Sequence, residues 1–184
     1  MKLHQLPGAL ICIIFFTTAQ AGDYKTLEWT DLIPKNVLDI LLNPPEAIKN
    51  IQDGTPEDEL TPEMLKEITG KPDSPYQQAL VSTQVMPEYN NKKIRMPGFV
   101  VPLEFDDDQV ITAFFLVPYF GACIHLPPPP PNQMIYVTSK KGLKTEVLYE
   151  PFWVEGTIYT ETKNTDIGLS AYTMTAFSIK PYTE

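Results

Sequence analysis

Cys123 and His125, two residues apart and followed by five consecutive prolines from Pro127 to Pro131, carry the greatest capacity for chemistry in this 184-residue chain. A thiolate and an imidazole bind soft and borderline metal ions, and either can serve in nucleophilic or acid-base work. In an extended Cys123-Ile124-His125 segment, alternation puts sulfur and imidazole on one face with Cα atoms roughly 6.5 to 7 Å apart, so both could reach one ion. Zinc takes three or four protein ligands, so others must come from afar: Glu104 is the third candidate, with Asp106, Asp107 and Asp108 beside it. Copper(I) accepts a softer set that would draw on Met96, Met134 or Met174, although methionine in strand patterns more often fills a core. The ion therefore stays open between zinc and copper, and an inert, buried Cys123 is the competing reading. Cysteine catalysis is disfavoured, because His125 would have to lie within about 3.2 Å of the sulfur and residues two apart on a strand rarely do.

The five prolines predict a left-handed polyproline arm about 15 Å long, at 3.1 Å per residue, with no backbone donor to bond. Such an arm docks on aromatic surfaces, which makes Pro127, Pro128, Pro129, Pro130 and Pro131, with Tyr119 and Phe120, the candidate partner-binding residues. The competing reading is intramolecular: the arm packs on the protein's own aromatic side chains, and Asn132 and Gln133 hold it through side-chain hydrogen bonds. Asp106-Asp107-Asp108 lacks the spaced ligands of a calcium loop and reads as a solvated hairpin turn. Fingerprints of serine hydrolases, phosphate-binding loops and dinucleotide-binding turns are absent from the sequence.

Residues 1–21 read as a secretory signal peptide: Lys2 supplies positive charge, Ala9 to Phe16 forms a short apolar core, and Ala19-Gln20-Ala21 offers a small-x-small cleavage site. That core is far shorter than the roughly 20 residues a membrane-spanning helix needs. Cleavage would remove Cys12 and His4 and leave Cys123 without an intramolecular partner, so no internal disulfide is expected. The net charge of -9 argues against binding nucleic acid or an anionic membrane surface.

These residues must be positioned by a mainly β domain. Residues 22–71 read as a helical and loop-rich extension. Within it Val37 to Leu42 forms an apolar run stopped by Pro44-Pro45, and a short helix is expected from Pro62 to Thr69, capped by Thr61 and ended by Gly70. Residues 72–184 show strand signals at Leu80 to Met86, Ile94 to Phe105, Ile111 to Val117, Met134 to Ser139, Val147 to Thr160 and Tyr172 to Ile179. Turn residues separate them at Asn90-Asn91, Asp106 to Asp108, Lys140 to Gly142 and Lys163-Asn164. Gly98 and Gly156 fit bends where a small sheet curls. The expected fold is a small antiparallel OB-like barrel, with a β-sandwich as the alternative.

The runs Leu27 to Pro34, Arg95 to Leu103 and Leu116 to Gln133 resemble the DUF3299 family of uncharacterised exported bacterial proteins. The resemblance implies a periplasmic protein of a Gram-negative envelope that acts beside an ABC transport system. Joined to the residue-level reading, the expectation is a periplasmic binding or accessory protein that presents the Cys123/His125/proline edge to an envelope partner, with zinc or copper as the candidate cofactor. A purely structural interaction module is the alternative, and a cysteine-dependent enzyme ranks behind both.

Overall fold

The computed structural model describes residues 24–49, 74–122, 129–145 and 147–183. Its organising element is a 14-residue strand, β2 (Lys92–Phe105), whose side chains alternate inward and outward. Ile94, Met96 and Val100 are buried inside, as period-two patterning dictates. β2 pairs with β5 (Phe152–Tyr159) from Lys92 to Gly98, then with β3 (Ile111–Val117) from Phe99 onward. One strand thus serves two barrel neighbours, and the changeover falls at Gly98. A Cβ there would lie 2.9 Å from Leu116 Cδ1 and Cγ and from the Val117 carbonyl oxygen, so only glycine lets the strands approach this closely.

The remaining pairings close the sheet. β3 pairs antiparallel with β4 (Ile135–Leu143), β4 pairs parallel with β8 (Tyr172–Pro181), and β8 pairs antiparallel with β5. Taking the five strands in chain order, each neighbour follows as first, second, third, fifth, fourth and back to the first. That is the closed Greek-key order of an OB-like barrel. A second glycine serves the curl: at Gly156, beside a register shift, a Cβ would come within 2.5 Å of the Thr175 carbonyl oxygen.

Phe114, Leu116, Ile135, Val137, Val154, Ile158, Tyr172 and Met174 fill the barrel interior, together with Leu27 and Leu32 from the preceding segment. β3 is buried on both faces. Its other side places Phe115 and Val117 in a second cluster with Ala122, Met134 and Tyr136. The chain before the barrel contributes a two-residue strand, β1 (Lys25–Thr26), parallel to β2, then a 3-10 turn at Trp29–Leu32 and helix α1 (Lys35–Leu41). α1 ends before Pro44-Pro45, as the proline stop requires. A one-turn helix, α2 (Glu46–Lys49), follows. The expected helix from Pro62 to Thr69 and the leader lie outside the described residues.

Three local expectations are corrected. Leu80 to Met86 is no strand: helix α3 (Pro75–Leu80) runs into it, started by Pro75 and by Ser74, whose Oγ accepts from the Gln77 N–H at 3.2 Å. A closed barrel leaves residues 82–86 no sheet edge. Side chains meet their backbone groups instead, with the Gln84 carbonyl accepting from Asn132 Nδ2 at 2.9 Å and the Met86 N–H donating to the Tyr172 hydroxyl at 2.7 Å. Lys140 to Gly142 is no turn but the end of β4, which takes Gly142 at φ +63°. Lys163-Asn164 likewise forms β6 (Lys163–Asn164), which pairs with β7 (Leu169–Ser170) in a small hairpin.

Candidate functional site

Three separate stretches of chain converge beside the barrel to form an apolar groove of about 310 Å³. The end of α3 delivers Leu80 and Val81, the proline arm delivers Pro129 and Pro131 with Met134 behind them, and the β6–β7 hairpin delivers Ile167, Gly168 and Leu169. Val81 and Ile167 are 70% and 59% exposed, so the rim presents branched apolar side chains to solvent. The hairpin tip has a local cause. Thr165 Oγ1 accepts from the N–H groups of Ile167 and Gly168 at 3.3 and 3.2 Å and donates to the Gly168 carbonyl at 3.0 Å, a side-chain turn that sets Ile167 at the apex.

The arm is tied down at its far end. Pro129 and Pro130 are buried, and Pro131 opens a short 3-10 turn, Pro131–Gln133. Asn132, fully buried, donates to the Gln84 carbonyl, while Gln133 Nε2 donates to the Trp29 carbonyl at 2.8 Å. The Ala171 N–H donates to the Pro131 carbonyl at 2.7 Å, joining the arm to the strand that follows the hairpin. Asn132 and Gln133 therefore hold the arm as the sequence suggests. Asn132 Oδ1 and Ser170 Oγ, on the two joined segments, are buried without a hydrogen-bond partner. None of the described lining residues of the groove titrates, so their interaction with a ligand is governed by apolar contact and shape.

The described members of the sequence-derived site are dispersed. Cys123, His125, Pro127 and Pro128 lie outside the described residues. Glu104 is near the end of β2, where its carboxylate accepts from the Tyr136 hydroxyl at 3.1 Å. Burial, that hydrogen bond and the charge of Glu104 all raise the Tyr136 pKa. The Lys163 ammonium rests 4.9 Å over the same ring. Asp106 is committed to its turn, with Oδ1 accepting from the N–H groups of Asp108 and Val110 at 3.0 and 2.9 Å. Met96 and Met174 fill the barrel, whereas Met134 reaches the groove. Among the described residues, no group of three or more histidine, cysteine, aspartate or glutamate side chains is placed to hold a metal ion. Tyr119 and Phe120 are exposed, and the Phe120 ring packs against Phe99 at 6.1 Å between centroids.

The family described as "Protein of unknown function (DUF3299)" matches residues 29–181, a span that includes every residue of the groove. The chain belongs to the DUF3299 family. A crystal structure of a DUF3299 family protein from Pseudomonas aeruginosa PAO1, at 2.45 Å resolution, is 33% identical to it. That match covers 89% of this chain and 99% of the other, with a TM-score of 0.63. Curated proteins yield no match. The DUF3299 likeness thus extends to the fold as well as the sequence, while the groove walls Leu80-Val81 and Ile167 to Leu169 are features that sequence reasoning did not reach. The one local signal was an isoleucine inside a polar turn, Thr165-Asp166-Ile167-Gly168.

Proposed function

We propose that this DUF3299 member is an exported binding or accessory module of the bacterial envelope, and that it holds an apolar segment of a protein partner in the groove bounded by Val81, Pro131 and Ile167. The observation that carries the reading is the exposed apolar rim over a lining whose described residues carry no titratable side chain, which suits capture of a side chain or short segment better than acid-base turnover. Export rests on the leader-like residues 1–21, and an ABC transport component as partner rests on the family resemblance. A photo-crosslinking amino acid at position 167, expressed in a native envelope with position 140 as control, tests the proposal. A discrete adduct with one envelope protein from 167 and none from 140 is expected. The same adducts from both positions, or none from 167, would overturn it.

The zinc or copper site at Cys123 and His125 is proposed at the same stretch of chain. Cys123 directly follows the buried Ala122, and His125 stands four residues before Pro129. Its test is the metal content of untagged mature protein, residues 22–184, isolated from the envelope beside Cys123→Ser and His125→Ala. The expected result is near-stoichiometric zinc or copper lost in both variants. Protein that is metal-free and takes up neither ion under reducing conditions would contradict it.

A further inference from the structure

On another part of the molecule, β1, the start of β2 and the 3-10 turn Pro87–Tyr89 enclose a cleft of about 600 Å³ lined by Tyr24, Lys25, Glu88, Tyr89, Lys92 and Lys93. Among its described lining residues are three lysines and one glutamate, an excess of two positive charges on a chain whose net charge is -9. Among the described residues, none of the three lysines is in an ion pair with a carboxylate. The Lys25 ammonium lies 4.9 Å over the Tyr89 ring, a cation–π contact.

The walls are held by the backbone. β1 pairs Lys25 with Ile94 and Thr26 with Arg95, which fixes Lys25 alongside β2. The turn that carries Glu88 and Tyr89 is pinned at Met86 by the Tyr172 hydroxyl, itself donating to the Leu32 carbonyl at 2.8 Å. The lysine stems therefore rise from anchored positions, and binding need order only the side chains.

We infer that this cleft binds a small soluble dianion of the phosphate type, with the Lys25, Lys92 and Lys93 ammoniums as counter-charges and the tyrosine hydroxyls as further donors. The excess of two charges among the described lining residues matches a dianion, whereas a carboxylate would neutralise half of it. An anionic lipid surface carries the same headgroup chemistry but would have to approach a molecule that is strongly negative as a whole.

The test is titration of isotope-labelled mature chain, residues 22–184, with inorganic phosphate at low ionic strength, where screening is weakest. Chloride at matched ionic strength is the control. Saturable amide shifts centred on Lys25, Tyr89, Lys92 and Lys93 are expected, with affinity falling by about threefold for each of Lys92→Ala and Lys93→Ala. Both lysines are exposed, so unchanged shifts in the rest of β2 and β5 establish that the variants are folded. Shifts that match chloride, fail to saturate or persist undiminished in both variants would overturn the inference. So would binding confined to phosphatidylglycerol vesicles with no response to free phosphate.

Discussion

Tyr172 shows how much one buried side chain can organise. Its ring lies in the barrel core, while its hydroxyl donates to the Leu32 carbonyl and accepts from the Met86 N–H, joining the barrel to two segments that precede it. Burial pushes the phenol up to about 12, the Met86 N–H pulls the other way, and the charge of Glu88 adds to the rise. A folded pKa above the unfolded value favours the folded state while the group stays protonated. That contribution is fully present below about pH 10 and lost as pH climbs through about 12. Unfolding free energy measured between those limits should fall, and the Tyr172→Phe variant should lack this component. At neutral pH the same variant should lose about 1 to 3 kcal/mol, because a buried carbonyl and a part-buried N–H lose their partner. An unchanged denaturation midpoint would show that the hydroxyl contributes no net stability. Much of this chemistry was visible in the residue types: Asn132 and Gln133 after a proline run suggested tethers, and both bond to distant backbone carbonyls. Their partners, Gln84 and Trp29, were not legible, since no local pattern links residues about 50 and 100 positions apart.

At the scale of elements, strands with a buried and an exposed face announce themselves. Ile94, Met96 and Val100 mark β2, and the run Ile111–Val117, apolar but for Thr112, marks a strand buried on both sides. The two strand glycines were legible for the same reason: each interrupts a pattern that otherwise wants a side chain. Gly98→Ala and Gly156→Ala should each destabilise by about 1 to 3 kcal/mol through overpacking, with Gly156 the worse because its added carbon meets backbone at 2.5 Å. Urea denaturation would read both, and a loss at Gly98 well above that at Gly156 would contradict this account of the curl. Where elements were misread, a longer-range constraint decided. Residues 80–86 carry the β-branched Val81, Thr83 and Val85 that strands favour, but the Ser74-Pro75 start commits Pro75–Leu80 to a helix and the closed barrel offers the rest no edge. The β6–β7 hairpin escaped notice because two-residue strands carry no period to detect.

For the molecule as a whole, the barrel is a scaffold that brings sequence-distant apolar residues to one place. Leu80-Val81, Pro129 to Met134 and Ile167 to Leu169 meet only because the chain closes the parallel β4–β8 pairing between them, a contact no local reading could supply. The fold class was therefore readable from strand spacing, whereas the groove required the topology. Sequence reasoning instead singled out Cys123 and His125, whose residue types advertise chemistry. If the groove captures a partner segment, its rim must tolerate a charge structurally but not functionally. Val81 is exposed, so Val81→Asp should leave the unfolding midpoint nearly unchanged. The decisive measurement is photo-crosslinking from position 167 in the intact envelope, with and without Val81→Asp. A discrete adduct that disappears in the folded variant is the predicted result, and an adduct of undiminished yield would contradict capture by the groove.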